Sequence, residues 1–191
     1  MDHVALAARA VAHDGSRFVI LAMEAQHPEV EYGYILPRAN EGCVDLWGIR
    51  NTALFIEKPD RITAHTLIGA GALWNTMIMV FKLRTLLEAM QKLSPRMYSD
   101  FSRIQDAIGT ANETKVVEDI YQNLKPENFS TAFLEKIAAI RPNMLSVLPV
   151  LQVSWSDWGS PERLLRAQDL LGERAQRAKP QRPKPAPSRA P

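Results

Sequence analysis

Apolar residues fall into short runs between turn residues early in the chain and into helical spacing later. His3 to His13 is alanine-rich with a helical period, and Asp14-Gly15-Ser16 stops it. RFVILAME, Arg17 to Glu24, predicts a buried strand, because it is a short apolar run bounded by turn residues. EYGYILPR (Glu31 to Arg38) follows and, past Asn40-Glu41-Gly42, the segment Cys43 to Gly48. ALFIEKP (Ala53 to Pro59) reads as another strand, closed by its proline. Asp60 to Ile68 predicts a short helix, ended by Gly69-Ala70-Gly71.

ALWNTMIMVFK (Ala72 to Lys82) is the most apolar strand, and it runs into a helix over Leu83 to Lys92. Pro95 to Ile108 and Glu113 to Leu124 predict amphipathic helices, with a shorter one after Asn128-Phe129-Ser130. MLSVLPVLQVSW (Met144 to Trp155) predicts a strand pair or one bent strand, before a turn at Asp157-Trp158-Gly159. A last helix is expected from Pro161 to Leu171, with Ser160 as N-cap and Pro161 at its first position. No internal repeat is present. Strands early and helices later give an α/β class.

Composition narrows this picture only slightly. With 191 residues the chain suits one α/β domain plus an appendage, and 46% apolar with 23% charged residues is ordinary for a globular protein. No apolar run approaches the roughly 18–20 residues of a membrane helix, and the N-terminus lacks the pattern of a signal peptide. A single cysteine, Cys43, offers no internal disulfide, and the expected location is the cytoplasm. The expected context of Cys43 is a plain core or strand thiol. His3, His13, His27 and His65 have no zinc-ligand spacing.

Charge divides the chain unevenly. Residues 173–191 hold six basic residues against Glu173 alone, while the whole chain carries a net +2, so the remainder is mildly acidic. An acidic body with a basic tail argues against a nucleic-acid-binding domain. Five prolines and no large apolar residue make the tail a disordered or polyproline-like segment. The expected organisation is a domain over 1–172 and a tail over 173–191.

Four segments carry a resemblance: EYGYI (Glu31 to Ile35), FIEKPD (Phe55 to Asp60), GALWNTMIMVF (Gly71 to Phe81) and WSDWGSPERLL (Trp155 to Leu165). In this order and spacing the chain resembles the second half of the sugar-1-phosphate nucleotidyltransferases. The LWN and WSDWG forms are most similar to mannose-1-phosphate guanylyltransferases. The resemblance covers about Val4 to Leu171 and implies a Rossmann-like fold of the nucleotide-diphospho-sugar transferase type, N-terminally truncated. The family's opening phosphate loop, GxGxRLxPLT, does not occur in these 191 residues. Asp2-His3 is similar to the family's magnesium pair but is expected to be an ordinary helix start. A sheet missing its first strands implies open edges.

The implied reaction joins a sugar 1-phosphate to a nucleoside triphosphate, with GTP the expected nucleotide, and releases pyrophosphate. Mg2+ is the implied cofactor. A missing N-terminal half or a homo-oligomer are the implied protein partners, with no membrane and no nucleic acid. Lys58, after a strand, would meet the sugar's phosphate as a point charge, or else is a solvated lysine. Glu57 would accept hydrogen bonds from sugar hydroxyls. Asn75, an amide inside an apolar strand, must find partners in a ligand or in neighbouring backbone. Gly33 would allow a ring close to the backbone, with Tyr32 or Tyr34 as a wall. Asp157 matches the family's metal-coordinating aspartate, against a role in capping the next helix. Trp155 and Trp158 are expected to pack. A non-catalytic sugar-phosphate-binding module, and a scaffold whose basic tail contacts acidic partners, are the competing readings.

Overall fold

The computed structural model describes residues 2–38, 47–153, 155–165 and 167–169. Cys43 and the basic tail therefore lie outside the described residues. The chain divides into two compact units, 1–153 and 154–191. That boundary precedes the 172/173 division expected from composition, and it puts the WSDWG turn in the second unit.

In the first unit, α1 (His3–His13) starts at Asp2, whose Oδ1 accepts from the N–H groups of Val4 and Ala5 at 3.0 and 3.2 Å. Asp2 is thus an N-cap, as its position before an apolar period implies. β1 (Phe18–Glu24) is buried along Phe18–Met23 on both faces, which is why it reads as a continuous apolar run. β5 (Leu145–Val150) lies parallel to β1 from Phe18↔Leu145 to Met23↔Val150. β4 (Leu73–Val80) lies antiparallel on its other side, from Val19↔Val80 to Glu24↔Leu73.

β2 (Tyr34–Pro37) joins β4 through two residue pairs and pairs along its length with β3 (Arg50–Ile56). β3 then meets β5 through two further pairs, Arg50↔Val147 and Asn51↔Ser146. The order β1-β4-β2-β3-β5 closes on itself. The open edges implied by the resemblance are not found among the described strands, because β3 supplies β5 with its second neighbour.

Alternation along the strands sorts the core. Phe18, Ile20, Ala22, Ile35, Phe55, Leu73, Leu145 and Val147 share one buried cluster with Phe133, Leu134, Ile137 and Ala138. Those last four come from a π-helical turn (Ser130–Leu134) and the α6 helix (Glu135–Ile140) that continues it. α1 packs against β1, β4 and β5.

The remaining helices are α2 (Arg61–Gly69), α3 (Leu83–Leu93), α4 (Pro95–Ala107) and α5 (Glu113–Asn123), close to their sequence-predicted bounds. Only one strand, β5, forms within Met144 to Trp155. No described helix is long and apolar enough to cross a membrane.

Candidate functional site

β3 ends at Ile56, so Glu57 and Lys58 lie in the turn that Pro59 foreshadows. Lys58 has φ 47°, the left-handed region that non-glycine residues rarely adopt. This conformation frees Glu57 and Lys58 from the strict alternation of a strand. Lys58 N–H donates to the Tyr32 carbonyl at 3.2 Å, and its Nζ reaches Glu31 Oε2 at 3.1 Å. Both partners of that ion pair are about half exposed, so it is weak and its ammonium is accessible.

Gly33 is the point of closest approach. A Cβ there would lie 2.6 Å from Glu57 Oε2 and 3.3 Å from Asn75 Cβ. A side chain at this position would displace the Glu57 carboxylate and press on Asn75 Cβ and Phe55 Cζ, each 3.3 Å away. The Asn75 N–H donates to the Gly33 carbonyl at 2.8 Å. Gly33, Glu57 and Asn75, from three segments distant in sequence, thus converge where β1 is finishing, opposite Ala22.

Asn75 is 5% exposed and begins an irregularity in β4. Ala22 pairs with Asn75 while Leu21 pairs with Ile78, leaving Thr76 and Met77 as extra residues in a bulge. Met77 has φ 59°. Asn75 Oδ1 accepts from Met77 N–H at 2.9 Å, and Nδ2 donates to Met77 Sδ at 3.0 Å. Thr76 Oγ1 donates to the Leu21 carbonyl at 2.6 Å, which satisfies a backbone group the bulge leaves unpaired. Asn75 is therefore held by its neighbours, with its weaker bond, to sulfur, the one a ligand can replace.

The π-helical turn and α6 add two residues that the sequence reading missed. Glu135 Oε1 accepts from the Glu57 N–H at 2.8 Å, and Ser130 Oγ lies 3.7 Å from Met77 Sδ. Burial pushes the Glu57 carboxyl above its ordinary range; a hydrogen bond with Ser130 and the charge of Lys58 oppose this, while Glu135 adds to it.

Tyr34 stands apart from this cluster. It is 1% exposed, pairs with Trp74, and donates its hydroxyl to the Glu29 carbonyl at 2.9 Å. Tyr34, expected as a pocket wall, is thus buried and bonded to the loop that precedes it. Tyr32 likewise meets Trp74 edge to face, with ring centroids 5.2 Å apart. A cavity of about 270 Å3 at the starts of β1 and β5, lined by Ser16, Arg141, Pro142, Asn143 and Met144, contains none of the candidates.

In the second unit, Asp157 Oδ1 accepts from Gly159 N–H at 3.0 Å and pairs with Arg163 Nε at 2.8 Å. Ser160 Oγ accepts from Arg163 N–H at 3.2 Å, and residues 161–165 are helical, so Ser160 is the cap as expected. Trp158, expected to pack, is 63% exposed with φ 54°. Among the described residues, no three His, Cys, Asp or Glu side chains gather to hold a metal ion. As arranged, Asp157 is the ion-pair partner of Arg163.

Three of the candidates thus meet at strand ends, a carboxylate and an amide beside Gly33, with the half-exposed ammonium of Lys58 on the next residue of the turn. The chain belongs to the nucleotidyl transferase family, whose model matches residues 1–174. It is 27% identical over 157 residues to alginate biosynthesis protein AlgA of Pseudomonas fluorescens, covering 81% of this chain and 31% of that one. It is also 27% identical over 153 residues to a mannose-1-phosphate guanylyltransferase of Klebsiella pneumoniae, covering 77% and 30%. A solved Thermus thermophilus structure, described as mannose-1-phosphate geranyltransferase, matches with a TM-score of 0.60 and 24% identity over 78% of this chain and 38% of that one. A Helicobacter pylori structure described as mannose-6-phosphate isomerase matches with a TM-score of 0.58 and 19% identity, covering 81% and 55%. These structures support the nucleotidyltransferase-type α/β fold. The chain spans under a third of the length of these two curated relatives.

Proposed function

We propose that this chain carries the sugar-phosphate-binding half of a mannose-1-phosphate guanylyltransferase-type enzyme. The observation that carries the reading is the close approach of Glu57 and Asn75 to Gly33, with the half-exposed Lys58 on the next residue. Lys58 would hold the phosphate of a hexose 1-phosphate, exchanging Glu31 for the ligand. Glu57 would accept from sugar hydroxyls, and Asn75 would offer the amide it now gives to sulfur. Gly33 leaves room for the Glu57 carboxylate, which lies 2.6 Å from where a Cβ would stand, and so sets where that carboxylate meets the sugar.

GTP is the proposed second substrate and GDP-mannose the proposed product. Magnesium, where bound in such enzymes, neutralises phosphate charge during the transfer. No step is derived through it here, because Asp157 would first have to exchange Arg163 for the ion. That ion pair favours a second reading, in which the chain binds sugar phosphate without catalysis. A homo-oligomer, or a further polypeptide bearing the phosphate loop, is the proposed partner, and the cytoplasm the proposed location.

Two measurements test the proposal. Ligand-observed NMR should show mannose 1-phosphate binding in the millimolar range, about −4 kcal/mol, with most of it lost in Lys58→Ala. Equal binding by wild type and Lys58→Ala would remove the pocket assignment. Pyrophosphate release from GTP and mannose 1-phosphate should be undetectable with this chain alone, and robust release would overturn that expectation.

A further inference from the structure

The turn that carries Glu57 and Lys58 has few ties to the rest of the sheet. β2 and β3 pair with each other, but each meets its outer neighbour through only two residue pairs. The turn's left-handed residue, Lys58, has no glycine to ease it. Lys58 N–H is tied to the Tyr32 carbonyl at 3.2 Å, and the Glu57 N–H takes its partner from outside the sheet. Glu135 is that partner, at the first position of α6, where the π-helical turn ends. Its Oε1 takes the Glu57 N–H at 2.8 Å across 78 residues of chain. The same α6 buries Ile137 and Ala138 in the core and packs against β3, so the carboxylate is delivered from a fixed base.

We propose that Glu135 is a positioning residue of the sugar-phosphate pocket: by accepting the Glu57 N–H, it locks the turn that aims Glu57 and Lys58. The inference rests on the pocket reading above for its consequence in binding, but its structural half stands alone. A backbone donor at the end of a strand has no ladder partner, and a carboxylate is a strong acceptor for it. Ser130, one turn earlier, meets both the Glu57 carboxyl and Met77, so the π-helical segment contacts both sides of the recess.

The test uses the full chain with three substitutions: Glu135→Ala, Glu135→Gln and, as pocket control, Lys58→Ala. Glu135→Gln keeps an oxygen acceptor, whereas Glu135→Ala removes it. Amide hydrogen exchange at Glu57 should quicken about tenfold in Glu135→Ala and stay within about threefold in Glu135→Gln. Mannose 1-phosphate affinity should follow the same order. The carboxyl of Glu57, titrated by carbon NMR, should ionise at lower pH in Glu135→Gln, because one neighbouring negative charge is gone.

Unchanged Glu57 exchange in a folded Glu135→Ala overturns the proposal, whatever happens to melting temperature. If Glu135→Ala does not fold, unchanged Glu57 titration in Glu135→Gln overturns it equally. Normal exchange and titration effects, with no mannose 1-phosphate binding by wild type, would instead sink the pocket reading and leave the positioning role standing.

Discussion

The Glu57 recess and the Asp157 turn are both built around a carboxylate that the sequence motifs single out, yet they are made in opposite ways. Around Glu57, apart from its neighbour Lys58, the surrounding groups come from elsewhere: Gly33 before β2, Asn75 in β4, Ser130 in the π-helical turn and Glu135 at the start of α6. Around Asp157, the identified bonds run to Gly159 and Arg163, within one short stretch of chain. The first arrangement depends on the tertiary fold. The second is local, and it leaves the carboxylate committed to a guanidinium. Motif matches alone would rank the two equally; the origin of their partners distinguishes them.

That contrast can be broken by substitution, and the largest effect is expected at Asn75. Asn75→Ala removes the acceptor that stabilises the bulge, so the first unit should lose about 1–2 kcal/mol in denaturant unfolding. No loss of stability would mean that the bulge holds itself. Lys58 should behave in the opposite sense. Lys58→Gly should abolish binding as Lys58→Ala does, yet be more stable than Lys58→Ala by about 1 kcal/mol, because glycine accepts positive φ without strain. Equal melting of the two variants would deny that the turn is strained.

Asp157→Ala leaves the largely buried Arg163 without this ion-pair partner, so it should destabilise the second unit by about 1 kcal/mol while leaving mannose 1-phosphate binding untouched. The smallest effects are expected with pH. Glu57 is held above its ordinary 4.5, so the folded state binds its proton more tightly than the unfolded chain does. Its contribution is full below 4.5 and is lost as pH rises through the folded value. Asp14 is lowered from 3.8 to about 2 by Ser16 and Arg17, so its contribution is present above 3.8 and is lost as pH falls towards 2. Melting curves of Glu57→Gln and Asp14→Asn should each lose one of these slopes.

The elements were legible because their periods and stop signals are local. His3 to His13 has its cap in Asp2, and Pro161 follows the cap Ser160. The bulge was not legible, since ALWNTMIMVFK reads as one strand, and Asn75-Thr76 was its only polar interruption. Nor could sequence spacing bring Glu135 to Glu57, because that meeting is created by the packing of α6 on β3. The burial of Tyr34 was not legible either, because its bond to the Glu29 carbonyl depends on how the preceding loop folds back. Sheet closure was missed because it depends on two pairs between β3 and β5.

Those two pairs also bear on how the molecule assembles. The β1–β5 and β3–β5 contacts both span the helices between β4 and β5, but the first is made by six residue pairs and the closing one by two. Loop-closure entropy opposes such a contact until the intervening helices have compacted, and little pairing rewards it once made. The seam should therefore form late on the folding pathway. Substitutions at Arg50 and Asn51 should accelerate unfolding while leaving the folding rate nearly unchanged.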